Sequence, residues 1–160
     1  MSLQTGAPVG TTLGLIINPN NLKIEGFYCQ DRFENKQLIL PATEIRDILP
    51  QGIVVNDHEA LTEPEELVRL KEVINIGFEL IGKTVVTVSK ERLGKVNDFA
   101  ADNQSLFIQK IYVGQSLLKS FGTGQLSIDR NHIVEITNRK IIVQEILKPS
   151  KVPVSVPSPA

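Results

Sequence analysis

The chain has 160 residues, of which 41% are hydrophobic and 22% charged, with a formal net charge of −1. That is the composition of an ordinary globular protein of one or two small domains. No run approaches the roughly 18 apolar residues that would span a bilayer, and MSLQTGAPVG lacks the basic and apolar stretches of a secretory signal. With one cysteine, Cys29, and so no internal disulfide, the expectation is a cytoplasmic protein without membrane insertion.

Charge is divided unevenly along the chain. Residues 1–81 carry 6 Lys/Arg against 12 Asp/Glu, and residues 82–160 carry 11 against 6. The basic half lacks the dense Lys/Arg stripe with interleaved aromatics of a dedicated nucleic-acid binder. A basic face for an anionic partner, complementary docking of the halves and head-to-tail association are all consistent with the split.

An internal repeat organises the elements. Shifted by 84 residues, PVGTTLGLIINPNNLKIEGFYC falls on RLGKVNDFAADNQSLFIQKIYV without a gap, so that Gly10 meets Gly94, Leu22 meets Leu106, Ile24 meets Ile108 and Tyr28 meets Tyr112. After a four-residue insertion the offset becomes 88, and QLILPATEIRDILPQGIVV falls on QLSIDRNHIVEITNRKIIV. Apolar and turn positions coincide in phase, which predicts two copies of one β-rich unit.

The first copy, residues 1–57, opens with a strand shortened to Ser2 to Gln4, leaving a sheet edge poorly covered. Between the copies, residues 58–81, one amphipathic helix is expected over about 63–76. Thr62 and Glu65 suit a capping box, Pro64 suits the first turn, Leu67, Leu70, Val73 and Ile74 share a face, and Gly77 is the stop. Because a unit of about 60 residues is marginal alone, that face should pack on barrel surface instead of floating as a linker.

The second copy, residues 82–147, opens with the β-branched run Thr84 to Val88. A hairpin follows around the Asx-type residues Asp102 and Asn103, leading into the strand from Leu106 to Val113. Lys140 to Gln144 forms a last strand after the turn Thr137-Asn138-Arg139. The tail, residues 148–160 (KPSKVPVSVPSPA), reads as extended and disordered. Its segment Val152 to Val156 is a candidate for edge pairing, as is a strand from another chain, so oligomerisation through a sheet edge is a further expectation.

GKTVVTVSKERLGKVNDFAAD and LSIDRNHIVEITNRKIIV together resemble the PRC-barrel, the domain named for the cytoplasmic part of the photosynthetic reaction centre H subunit and found as the C-terminal half of a ribosome maturation factor. The pattern is a Gly-Lys-x-Val strand, then x-Leu-Gly-Lys-Val-x-Asp, a hairpin, and a closing strand after Ile-x-x-Ile; residues 82–145 carry it, and residues 3–57 carry it through the repeat. The resemblance implies a mainly β protein made of two small antiparallel PRC-type barrels in tandem, joined by the helix. It implies a non-enzymatic adaptor that binds another macromolecule, a protein, with an RNA-binding or ribosome-assembly adaptor as the alternative. No catalytic residue is carried over.

The residues themselves offer little chemistry. Cys29 meets Val113 in the repeat and so reads as packed core. His58 and His132 read as exposed polar positions without metal-ligand spacing. Gly122-Thr123-Gly124 precedes a strand and not a helix, the wrong order for a phosphate loop. Asp98 and Asp102 do not read as a catalytic carboxylate pair, since Gly14 and Asn18 stand at their places in the first copy and Asp102 has a turn role. Asp129 and Arg130 replace Pro41 and Ala42 of the first copy, and with His132, opposite Glu44, they form the candidate binding residues. No cofactor or metal is expected.

Overall fold

The computed structural model describes residues 1–114 and 125–145. The protein is mainly β. It divides into two compact units: residues 1–78 together with 102–107, and the remainder. The Gly122-Thr123-Gly124 loop and the 148–160 tail lie outside the described residues.

In the first unit, β1 (Gly10–Asn18), β2 (Lys23–Asp31) and β3 (Gln37–Pro41) form an antiparallel sheet in sequence order, and β4 (Ile45–Leu49) pairs with β5 (Gly52–Val55). The inner core gathers Val9, Cys29, Leu38, Leu40, Val55, Ala60 and Leu61. Ser2, at the shortened strand, makes a parallel bridge to Val55, and Leu3 N donates to Val55 O (2.8 Å).

The second unit holds β6 (Thr84–Thr87), β7 (Arg92–Ala101), β8 (Ile108–Gly114), β9 (Gln125–Asp129), β10 (Ile133–Ile136) and β11 (Lys140–Val143). They form one sheet in the order β10-β11-β6-β7-β8-β9. The expectation of antiparallel pairing throughout is corrected here: β11 runs parallel to β6, Lys140 beside Thr84 through Val143 beside Thr87. The expected closed barrels do not appear in the pairing of the described residues either, since each sheet ends in two edge strands.

The two copies of the repeat share their irregularities. β1 and β2 slip register between Thr12 and Gly14 and between Ile16 and Ile17; β7 and β8 slip between Val96 and Asp98 and between Ala100 and Ala101, 84 residues on. β4 slips between Ile45 and Asp47, and β10 between Ile133 and Glu135, 88 residues on. Leu22 and Leu106, each closing a hairpin tip, both take left-handed backbone (φ 55° and 63°) and both are buried. Each donates its N–H to the turn residue four back, Asn18 O or Asp102 O, at 2.8 Å. Gly94, which pairs with Val85, combines φ 144° with an approach to the Gly114 carbonyl that leaves no room for a Cβ.

The joining segment differs from the expected helix over 63–76. The α-helix, α1, covers only Lys71–Ile76, preceded by tight turns at Pro64–Glu66 and Val68–Leu70. Thr62 does not cap: its backbone is committed to β3, where Ile39 N donates to Thr62 O and Thr62 N to Ile39 O, both 2.8 Å. Leu67 (ψ 76°) then interrupts any continuous helix. Gly77 ends α1 in left-handed conformation. Leu70 nevertheless packs on Ile16 and Ile39, flanked by Tyr28, Leu67, Val73 and Ile74, on the face of the first sheet opposite its core.

Candidate functional site

The turn Arg130–His132 carries the candidate residues and joins β9 to β10, as Ala42–Glu44 joins β3 to β4. Asp129 ends β9 with its side chain exposed, opposite Lys110 on β8. Arg130 is half-buried and donates from Nη1 to Ile108 O (3.1 Å), so its guanidinium ties the turn to β8. His132 is not the exposed polar residue expected. Its Nδ1 is enclosed without a hydrogen-bond partner among the described residues, and its carbonyl accepts from Gln144 N (3.0 Å). Of the three, Asp129 alone is fully displayed to solvent.

Register shows what Asp129 belongs to. Cross-strand partners share a sheet face, so Ala100, Lys110 and Asp129 form one row, and Asp98, Tyr112 and Ser127 the next. Asn97 Oδ1 accepts from Gln125 Nε2 (3.0 Å) beside them. Lys110, Asp98, Ser127 and Asp129 are exposed and Tyr112 is half-buried at their centre, while the opposite face of the same strands buries Val96, Ile111, Val113 and Ile128.

The corresponding rows of the first unit are Ile16, Gly26 and Pro41, then Gly14, Tyr28 and Ile39. That is the face the α1 segment covers. Both tyrosines hold the same place, one under an apolar helix and one among charged and polar neighbours. The residue pattern contained this contrast, because the outward positions differ while the inward ones stay apolar in both copies.

A second cluster escaped the sequence reading. His58 Nε2 donates to Asp31 Oδ1 (2.6 Å), and the Asp31 side chain is wholly buried. Asp31 also accepts from Phe33 N (3.3 Å) and Glu34 N (2.8 Å). Burial would push this carboxyl up, but the hydrogen bonds from Glu34, His58 and Phe33 outweigh it and hold it below the usual aspartate value. The Phe33 ring meets His58 edge-on at 4.8 Å between centroids. No local pattern signals a partnership between residues 27 positions apart.

A cavity of about 370 Å³ opens in the first unit, walled by Val9, Cys29, Leu40, Ile53, Val55 and Leu61. Burial pushes the Cys29 thiol up to about 11, against a smaller lowering by the Leu40 backbone. A thiol so disposed is a poor nucleophile. Among the described residues no group of three or more His, Cys, Asp or Glu gathers where it could hold a metal ion, and no helix is long and apolar enough to cross a membrane.

A scan against protein-family models and a search of the curated proteins find no match to this chain.

Proposed function

We propose that the chain is a non-enzymatic adaptor, a duplicated PRC-type β unit, that binds another protein in the cytoplasm through the outward face of its second copy. One observation carries this reading. A face that receives an amphipathic segment around Tyr28 in the first unit recurs around Tyr112 in the second with exposed polar neighbours. The repeated bulges and left-handed leucines support a duplicated unit, and the resemblance of residues 82–145 to the PRC-barrel supports its type.

Affinity purification with the wild-type chain and with Tyr112→Ala, Lys110→Glu and Asp129→Lys tests the face. A protein retained by the wild type and lost with these variants is expected; identical sets of retained proteins would sink the reading. A second reading, an RNA or ribosome-assembly adaptor, draws on the excess of 11 Lys/Arg over 6 Asp/Glu in residues 82–160. It requires binding to structured RNA that falls steeply with salt. Asp98 and Asp129 beside Tyr112 make this face a poor phosphate platform, which favours the protein reading.

A further inference from the structure

The Asp31–His58 pair, its carboxylate wholly enclosed and its imidazole partly exposed, lies outside the two stretches that the repeat aligns. The repeated unit therefore gives no sign of needing it. Enclosing a carboxylate carries a substantial desolvation cost, even when it is paired. What the pair holds in place is the tip of the β2–β3 hairpin. Asp31 takes the backbone N–H groups of Phe33 and Glu34, Gln30 Nε2 donates to Asn35 Oδ1 (3.0 Å), and Lys36 bridges Glu34 (3.0 Å) and Glu63 (2.7 Å). The one large apolar side chain on this tip, Phe33, is 64% exposed.

We propose that Phe33 is the anchor of a second docking surface, distinct from the Tyr112 face, for a protein segment that encloses an aromatic ring in an apolar socket bordered by lysine or arginine. Hot spots of protein interfaces are aromatic side chains held in place before contact, because an ordered ring loses little freedom on binding. His58 fixes one edge of the Phe33 ring and leaves the rest to a partner. The border is acidic on balance: Glu34 and Glu59 are exposed, Glu63 is partly so and Asp57 stands next to His58, against the exposed Arg32 beside Phe33 and Lys36, which is already shared between two carboxylates. Basic groups around the socket complement this border and steer the approach.

The test pans a phage-displayed library of random peptides against the full chain, after depletion on Phe33→Ala. Peptides that survive are expected to combine apolar residues with lysine or arginine, and to bind Phe33→Ala about 30-fold more weakly than wild type, the loss typical of an interface anchor. Asp31→Asn, which keeps the ring but loosens the tip, should weaken them several-fold, and raised salt should weaken them further. Phe33→Trp supplies the only tryptophan of the chain, and its emission should shift to the blue on binding. Tyr112→Ala should leave these peptides unaffected, which separates this surface from the one proposed above. A library that yields nothing after the Phe33→Ala depletion would overturn the proposal, as would peptides that bind Asp31→Asn and wild type equally.

Discussion

Leu22 and Leu106 set two effects against each other, and the sign of the outcome is testable. Each is buried, with 4% and 7% of its surface exposed, and each sits in left-handed backbone at φ 55° and 63°. Truncation to alanine removes the buried side chain and leaves the backbone cost, so Leu106→Ala should destabilise by about 2–5 kcal/mol. Glycine loses the same contacts but escapes the left-handed cost of about 1–2 kcal/mol, offset by about 0.5–1 kcal/mol of extra freedom in the unfolded chain. Leu106→Gly should therefore be more stable than Leu106→Ala by up to about 1.5 kcal/mol, and Leu22 should behave alike. At Leu38, buried in β3 with extended neighbours, the order should reverse, with glycine worse than alanine by about 0.5–1 kcal/mol. Urea midpoints resolve this, since 1 kcal/mol moves them by roughly 0.3–1 M. If glycine is the worse residue at 22 and 106 as it is at 38, the left-handed leucines are not a feature of the folded protein, and the equivalence of the two hairpin tips falls with them.

Three further outcomes follow from the packing. Leu70→Ala should lose about 2–3 kcal/mol and lower the melting temperature clearly, whereas Val68→Ala, at a side chain 79% exposed, should change it little; equal effects would mean that the α1 segment does not pack on the first sheet. Asp31 has a folded-state pKa below its unfolded value near 3.9, so its contribution is present above that value and disappears as pH falls through the lower folded one. Asp31→Asn should be less stable than wild type at pH 7, with the difference shrinking as pH falls below about 4 in denaturant titrations; a gap that does not narrow would refute the charge-assisted account. Cys29, with its thiol pushed up to about 11, should react with a thiol reagent at pH 8 on the order of a hundredfold more slowly than a free cysteine, and at the normal rate in denaturant. Rapid labelling of the folded chain would show that the cavity opens far wider than its walls indicate.

What could be read from the sequence depended on the range of the interaction. Turn chemistry was visible because it is local: Asp102 accepts from Ser105 N at 2.7 Å and Asn18 from Asn20 N at 2.9 Å, as Asx residues before a strand suggest. The apolar face of Leu67, Leu70, Val73 and Ile74 was visible in the spacing, and so was the stop at Gly77. The start of that helix was misread because Thr62, a good cap by composition, pairs its backbone with Ile39, a contact no local rule encodes. The parallel alignment of β6 and β11 lies beyond local patterns for the same reason, since it joins residues 56 positions apart. The roles of the candidate residues at the end of β9 were not separable in the sequence. Asp129 faces solvent, Arg130 reaches back to Ile108, and His132 turns a ring nitrogen inward. The Asp31–His58 pair was missed because each residue alone looks like an ordinary polar loop position.

The divergence of the two outward faces has a physical direction. An apolar segment can cover the first face because Ile16, Ile39 and Pro41 present no group that needs water. Placing the same segment over Ala100, Ser127 and Asp129, with Lys110 and Asp98 alongside, would strip two carboxylates and an ammonium of solvent, and several kcal/mol per ion exceeds what a few leucines return. The second face can therefore be occupied only by a surface that offers hydrogen bonds and opposite charges in register with these rows. Tyr112, carrying both a ring and a hydroxyl, serves such an occupant as well as Tyr28 serves its apolar one. The outward residues are where the two faces differ, and exchanging them with the inward core untouched should exchange what each face can accept.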